Sequence, residues 1–184
     1  MDGLLFDSER IVQRSWEIAG DELGIPHMED VIYHTLGMNR AGRNEYFRKY
    51  IREDFPFEEF GKLTRDNFWK IVDKEGLPLK KGAKELLAYG KSQGYKMAVA
   101  TSSSREYAMG NLIRAGIDSH FDSVFCGDMV KKAKPDPEIY QKACESLGIQ
   151  PEYCMAFEDA PGGILSAHQA GMQVIMVPDL VQPT

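Results

Sequence analysis

The stretch YCMAFEDAPGGILSAHQAGMQVIMV, residues 153–177, shows how the second half of the chain is built. It begins with the short apolar run YCMAFE, continues with the helical pattern GILSAHQAG and ends with a second apolar run, QVIMV. Neither apolar run alternates with polar residues, which is typical of strands buried on both faces of a parallel sheet. The stretch therefore predicts one strand-helix-strand unit.

The same order of elements repeats upstream, after LPLKKG at residues 77–82. Helical patterns are found in KELLAYGKSQG, SREYAMGNLIRAG and PEIYQKACESLG, and the runs KMAVAT and SVFCG have the character of short buried strands. This repetition predicts an α/β fold with a doubly wound, Rossmann-like parallel sheet. In an open sheet of this kind the loops at the carboxyl ends of the strands form the active site.

The first half of the chain differs, because it is helical from about Ser8 to Gly76 and contains no evident strand. Apolar residues such as Ile11 and Trp16 recur at helical spacing, and aromatic residues at such spacing favour a helical core over a ligand site. We therefore expect two domains: an α/β core of residues 1–7 and 79–184, and an all-helical cap of residues 8–78 inserted into it.

Composition restricts the possible partners and compartment of the 184-residue chain. Its formal charge of -6 gives no sign of a nucleic-acid or anionic-membrane partner. Apolar runs are too short to span a bilayer, and the N-terminus lacks the regions of a signal peptide. The three cysteines lack CxxC spacing and predict reduced thiols. We expect a cytoplasmic protein, a monomer, that binds neither nucleic acid nor membrane.

Polar residues stand where the predicted strands end. Thr101 and Ser102 follow KMAVA, Glu158 and Asp159 follow YCMAF, and Lys134 comes directly before a helix start. Each also has an ordinary structural interpretation. The hydroxyls suit a turn or, with Ser103 and Glu106, a capping box; the two acids suit a helix N-terminus; and most lysines are solvated.

The combination of these groups favours phosphate chemistry. Glu158, Asp159 and the N-terminal Asp2 form an oxygen-rich set suited to Mg²⁺. The hydroxyls of Thr101 and Ser102 at a helix N-terminus, together with the ammonium group of Lys134, suit a phosphoryl group. Phosphoryl transfer needs such a set, because the charge on the equatorial oxygens must be neutralised and protons must be moved.

Five ordered motifs give the chain a family resemblance: MDGLLFDSE, LGMNR, AVATSSS, KPDPEIY and FEDAPGGILSAHQAGM. On these motifs the chain resembles the haloacid dehalogenase superfamily, and within it the helical-capped phosphatases close to β-phosphoglucomutase. The family's opening motif is Asp-x-Asp-Gly, with the first Asp as nucleophile and the second as general acid/base. Asp2 matches the second Asp, so the resemblance places the nucleophile directly before Met1. We expect an apolar strand of about five residues to lead into it.

The resemblance also implies roles for the other site residues. Thr101 matches the hydroxyl residue that binds the transferring phosphoryl group, and Lys134 matches the lysine that steadies nucleophile and phosphoryl oxygens. Glu158 and Asp159 match the acidic pair that holds Mg²⁺, with the carbonyl oxygen of Asp2 as a further ligand. Arg40, in LGMNR, matches a cap arginine that reaches a substrate phosphate in related enzymes, and a solvated surface arginine is the alternative.

Three functions follow from these observations. The first is a Mg²⁺-dependent phosphatase that acts on a small phosphorylated metabolite, such as a sugar phosphate, through an aspartyl phosphate. The second is a β-phosphoglucomutase-like phosphomutase, against which Val12 stands where that enzyme has a histidine. The third is a catalytically inactive phosphate-binding fragment, because the matched nucleophile is not in the sequence. We favour the first for the parent protein.

Overall fold

The computed structural model describes residues 1–35 and 40–179, with residues 40 and 41 described by their backbone alone. The chain divides into two compact units. Met1–Asp7 and Leu77–Thr184 form one, here called the core unit, and Ser8–Gly76 forms the other, called the cap unit. No helix in the described part of the chain is both long enough and apolar enough to cross a membrane.

The cap unit consists of four helices: α1 (Ser8–Glu22), α2 (Met28–Thr35), α3 (Arg40–Tyr50) and α4 (Phe57–Glu75). Trp16 of α1 lies at its centre, with its ring edge-on to Phe47 at 5.6 Å and to Phe60 at 5.5 Å between ring centroids. These three side chains and Met28 are buried in one apolar cluster. The prediction that the aromatic residues at helical spacing form a core is confirmed for Phe47 and Phe60.

The core unit alternates helices with short strands. Its helices are α5 (Ala83–Ser92), α6 (Arg105–Arg114), α7 (Glu138–Leu147) and α8 (Pro161–Gln169). Its strands are β1 (Ala98–Ala100), β2 (Ser123–Phe125), β3 (Met155–Glu158) and β4 (Gln173–Met176). Single turns of 3-10 helix lie at Asp118–His120, Gly127–Met129 and Pro151–Tyr153. The predicted order of elements and the α/β fold class are confirmed.

The strands pair in parallel, but in two separate pairs. β1 pairs with β2, Ala98 opposite Ser123, and β3 pairs with β4, Met155 opposite Gln173. We predicted a parallel sheet, and the described residues form it as two two-stranded parallel sheets. Side chains connect the two pairs, because the apolar cluster around Ile139 of α7 includes residues of both.

The two chain segments that lead into and out of the cap unit run side by side within the core unit. Phe6 and Leu79 form an antiparallel bridge. Asp7 N donates to Pro78 O at 2.9 Å, and Lys80 N donates to Leu5 O at 2.8 Å. Strand-like hydrogen bonds therefore fix the two ends of the insertion next to each other.

The helix starts of the core unit lie close to the loops that carry polar residues. Ser104 caps α6, because its Oγ accepts from Tyr107 N at 3.4 Å. The capping box proposed as an alternative role for Ser103 is therefore wrong. The carboxylate of Asp136 lies at the start of α7, where its Oδ1 accepts from Glu138 N at 3.0 Å. The three cysteines are free thiols, as expected.

Candidate active site

The charged residues predicted from the strand ends lie close together in the core unit. Lys134 pairs with the carboxylate of Glu158, and the carboxylate of Asp159 lies against Gly3, the residue that follows Asp2. Glu158 ends β3 and Lys134 precedes α7, so separate segments bring these groups together. Lys134 thus contacts the carboxyl ends of two strands, β1 through Ala100 O and β3 through Glu158.

Asp2 lies in a tight loop at the start of the chain. Gly3 has a φ of 72°, a left-handed conformation that suits glycine. The amide of Gly3 donates to Phe6 O at 3.0 Å. Both carboxylate oxygens of Asp2 accept hydrogen bonds, Oδ2 from Ser103 Oγ and Oδ1 from Tyr107 Oη, each at 2.9 Å. The Asp2 carboxylate is therefore held in one orientation by two neutral hydroxyl groups.

Thr101 and Ser102 form the turn that follows β1. Thr101 is 3% exposed; its N–H donates to Phe125 O at 3.0 Å, and its Oγ1 accepts from Ser103 N at 3.2 Å. Ser102 is exposed, and its carbonyl lies so close to Gly127 that a Cβ there would collide with it. The turn is therefore packed tightly, with one hydroxyl buried and one at the surface.

Lys134 is the centre of a buried polar cluster. Its ammonium group donates to Glu158 Oε1, to Ala100 O at 3.1 Å and to Tyr140 Oη at 3.2 Å. Tyr140 Oη also donates to Glu158 Oε1, and Lys134 Nζ lies 4.8 Å from the centre of the Tyr140 ring. Burial raises the pKa of Tyr140, and the negative charge of Glu158 acts in the same direction. Tyr140 therefore remains a neutral donor to Glu158.

Glycine at position 163, in the first turn of α8, leaves space for the carboxylate of Glu158. A Cβ on Gly163 would collide with the carboxylate carbon and both of its oxygens. Glu158 itself is only 6% exposed. Because a buried carboxylate is costly without partners, the contacts from Lys134 and Tyr140 are what make this position tolerable.

Asp159 lies beside Gly3 and Asp179. A Cβ on Gly3 would collide with the Asp159 carboxylate and lie 3.3 Å from Asp179 Oδ2. Burial raises the pKa of Asp159, and the negative charges of Glu158 and Asp179 raise it further. Asp179 also pairs with Lys80, whose ammonium group lies 3.2 Å from Asp7 Oδ1. A cation bound beside Asp159 would favour the charged form of this carboxyl group.

The oxygen donors of this region fit a magnesium ion. Mg²⁺ prefers one or two carboxylates together with carbonyl oxygens and waters. Asp159 offers a carboxylate beside the small residue Gly3, and the Asp2–Phe6 bridge uses the carbonyl oxygens of Met1 and Phe6, not that of Asp2. Glu158 fits less directly, because its Oε1 already accepts from Lys134 and Tyr140.

Sequence reasoning missed several residues of this region, and one predicted residue lies outside the described part. Arg40 begins α3, but its side chain is not among those described. The missed residues are hydrogen-bond or ion-pair partners of the predicted ones: Ser103, Tyr107, Tyr140, Lys80 and Asp179. The available signal was their placement, since Tyr107 and Tyr140 lie in the first turn of a helix that follows a site loop.

Comparisons with known proteins agree with this chemistry. The family described as haloacid dehalogenase-like hydrolase matches residues 1–177. Phosphorylated carbohydrates phosphatase of Thermotoga maritima is 32% identical over 175 residues, which cover 95% of this chain and 81% of that protein.

Solved structures give the same result. A candidate β-phosphoglucomutase from Thermotoga maritima has a TM-score of 0.82 and 29% identity, and the match covers 100% of this chain and 85% of that one. A HAD family hydrolase from Deinococcus radiodurans R1, with bound phosphate and sodium, has a TM-score of 0.81 and 25% identity. The match covers 95% of this chain and 76% of that one. The chain therefore belongs to the haloacid dehalogenase-like hydrolases, among the phosphatases that resemble β-phosphoglucomutase.

Proposed function

We propose that the protein is a Mg²⁺-dependent phosphatase that acts on a small phosphorylated metabolite such as a sugar phosphate. The observation that carries this proposal is the proximity of these charged groups: Lys134 pairs with the buried Glu158, and the Asp159 carboxylate lies against Gly3, the residue after Asp2. Such a set combines carboxylates for a metal, a cation for phosphoryl oxygens and a group that can move protons. The name of the Thermotoga maritima relative, a phosphatase of phosphorylated carbohydrates, supports the substrate class.

In the proposed mechanism Asp2 is the general acid and base. A carboxylate attacks phosphorus, and Asp2 gives a proton to the departing alcohol oxygen. Asp2 then takes a proton from a water molecule, which hydrolyses the aspartyl phosphate. Because Asp2 matches the second Asp of the family motif, we assign the nucleophilic carboxylate to the residue directly before Met1.

The remaining residues bind charge. Asp159, Glu158 and the carbonyl oxygen of Asp2 would hold Mg²⁺, which when bound supplies positive charge for the phosphoryl oxygens. Lys134 adds a second positive charge and is kept in place by Glu158 and Tyr140.

Thr101, Ser102 and Arg40 complete the proposed phosphate-binding set. Thr101 and Ser102 lie in the turn that precedes α6, where a phosphoryl group gains from the positive end of the helix. Arg40 is assigned to the substrate by its match to the cap arginine of related enzymes. The free thiols fit the reducing cytoplasm, where we place the protein as a monomer.

Two alternatives lead to different products. A phosphomutase would interconvert phosphorylated isomers, but Val12 offers no proton-handling group where β-phosphoglucomutase has a histidine. A catalytically inactive binder would hold phosphate without releasing it from an ester. Assay of released inorganic phosphate and of isomer formation separates the three.

The test measures phosphate release from a panel of sugar phosphates with Mg²⁺, for the chain from Met1 and for one extended upstream in its natural reading frame. We expect turnover by the extended protein, loss of turnover with a chelator and in Asp2→Asn, and no isomer formation. Strong turnover by the chain that starts at Met1 would contradict the assigned nucleophile. Isomer formation without phosphate release would establish the mutase instead.

A further inference from the structure

Tyr107 makes a direct hydrogen bond to the proposed acid/base residue. Its Oη donates to Asp2 Oδ1 at 2.9 Å, while Ser103 Oγ donates to Asp2 Oδ2 at the same distance. The two donors bind different oxygens of the carboxylate, so together they restrict its rotation. Neither residue belongs to the set that the sequence assigned to the site.

The position of the Tyr107 hydroxyl group is determined by the start of α6. Ser104 caps this helix by accepting from Tyr107 N at 3.4 Å, which places Tyr107 in the first turn. Ser103 immediately precedes the cap residue, so both donors are attached to the same rigid helix start. Tyr107 is half-buried and Asp2 has the same class of exposure, which leaves the pair accessible from solvent.

We propose that Tyr107 is a positioning residue that orients Asp2 for proton transfer, an inference that rests on the proposed function. Asp2 gives its proton to the leaving alcohol oxygen and later takes one from water, while the hydroxyl hydrogens of Tyr107 and Ser103 stay on their own oxygens. Each carboxylate oxygen has two lone pairs, so one remains available for the transferred proton. The hydroxyl groups therefore fix the direction of transfer without taking part in it.

The effect of Tyr107 should depend on the leaving group. An alkyl phosphate needs a proton on its departing oxygen, whereas p-nitrophenyl phosphate releases a phenolate that is stable at neutral pH. The constant kcat/KM reports the steps up to departure of the leaving group, so it isolates this proton transfer from the later attack of water. Substitution of a residue that only stabilises the fold would lower kcat/KM by the same factor for both substrates.

The experiment compares Tyr107→Phe with the unaltered enzyme, both as the full chain with Mg²⁺. Each protein is extended upstream in its natural reading frame, because the nucleophile is assigned to the residue directly before Met1. We expect kcat/KM for an alkyl sugar phosphate to fall by about 10- to 10²-fold, the range produced by misplacing a reacting group. For p-nitrophenyl phosphate we expect little change. Equal losses with both substrates, or no loss with either, would overturn the inference.

Two further variants test the second hydrogen bond and control for the tyrosine substitution. Ser103→Ala removes the second hydrogen bond to Asp2 without altering a tyrosine. Its kcat/KM should fall for the alkyl sugar phosphate and not for p-nitrophenyl phosphate, and an unchanged kcat/KM for both would also count against the inference. Tyr153→Phe, at a tyrosine that is 78% exposed, controls for the substitution itself and should keep both activities.

The failure of this inference can be distinguished from the failure of the proposed function. If Asp2→Asn keeps full activity, Asp2 is not the acid/base and the proposed function fails, and the inference about Tyr107 fails with it. If Asp2→Asn is inactive while Tyr107→Phe behaves like the unaltered enzyme, only the inference fails.

Discussion

At the scale of single residues, Lys134 shows how one side chain can connect several parts of the core unit at the candidate site. It is 12% exposed and connects the end of β1 with the end of β3, through Ala100 O and Glu158. Tyr140 holds it from the side by its hydroxyl group and its ring. The ammonium group is therefore fixed before any phosphate arrives, which is the condition under which a charge stabilises a transition state most.

The first prediction concerns this lysine. Lys134→Ala should lower kcat by about 10² or more, because a preorganised charge next to the phosphoryl group is lost. Lys132→Ala is the matched control, since the Lys132 side chain is 73% exposed and pairs only loosely with Asp136 at 3.4 Å. Steady-state kinetics with a sugar phosphate measures both. Equal rates in the two variants would remove Lys134 from the site.

The second prediction concerns Asp159. Because this half-buried carboxylate lies near the negative charges of Glu158 and Asp179, Asp159→Asn should raise the unfolding temperature in the presence of a chelator, by about 2–4 °C for each kcal/mol gained. The same variant should lose the stabilisation that Mg²⁺ gives the unaltered protein. Asp66→Asn, on the exposed surface of α4, serves as control. Stabilisation by Mg²⁺ that persists in Asp159→Asn would contradict the assignment.

Sequence could predict the charged residues of this site but not their hydroxyl partners. Glu158 and Lys134 are found from sequence because they follow a strand or precede a helix, and parallel strands bring their carboxyl ends to one edge. The directions in which the Tyr107 and Tyr140 side chains point depend on the rotation of α6 and α7 about their axes. That rotation is determined by the packing of the whole core unit. The place of these tyrosines in the first turn of a helix after a site loop is a sequence signal, but it does not distinguish a hydrogen-bond partner of the site from a core residue.

At the scale of elements, the start of α7 is stabilised by Glu138. Its carboxylate accepts from the amides of Lys131 and Lys132 and pairs with Lys142 at 2.9 Å. The hydrogen bond from Lys142, followed by those from the backbone, lowers the pKa of Glu138 from 4.5 to about 2. One side chain therefore ties the loop that carries Lys134 to the helix behind it.

The third prediction is a pH dependence that follows from this shift. A carboxyl group with a lowered pKa stabilises the folded state above its ordinary pKa and loses this effect as the pH falls toward its folded value. Glu138→Gln should therefore be less stable than the unaltered protein near neutral pH, and the difference should shrink between pH 4.5 and about 2. Urea unfolding across this range measures it.

A matched variant on the same helix controls this experiment. Glu145 is exposed and lies in α7, so Glu145→Gln removes one charge without removing the amide contacts. Its stability should follow that of the unaltered protein at each pH. A Glu138→Gln curve parallel to the Glu145→Gln curve would show that the contacts to the loop contribute nothing.

The strands were predicted in order and in place, but their arrangement as two pairs was not. Apolar runs such as KMAVAT identify a buried strand from its composition, and the observed β1 covers only its central residues. Which strands pair is not encoded locally, since it depends on the backbone groups available beside each strand. The contacts of Lys134 across the two pairs could therefore not be derived from sequence patterns.

At the scale of the whole molecule, the division into two units suggests that each has its own stability. The cap unit has an apolar cluster centred on Trp16, which is 5% exposed. The core unit has a different one around Ile139 of α7. Units with separate cores can unfold in separate transitions, for which one unfolding temperature does not describe the molecule.

The fourth prediction tests this division. Trp16→Ala should destabilise the cap unit by about 3–5 kcal/mol, the cost of truncating a large buried aromatic residue. Calorimetry should then show a cap transition at lower temperature and a core transition that is nearly unchanged. Trp69→Ala, at a tryptophan that is 41% exposed, should cost less. A single transition that moves as a whole in Trp16→Ala would show that the units unfold together.

The paired segments at the ends of the cap unit have a consequence for how such proteins diversify. Asp7 is bonded to Pro78 and Lys80 to Leu5, so Ser8 and Gly76 begin and end a segment whose anchors are neighbours. A domain attached through adjacent anchors can be exchanged for one of different length without rerouting the rest of the chain. Recombination at these two positions would replace the cap unit while Asp2, Lys134 and Glu158 in the core unit keep their places.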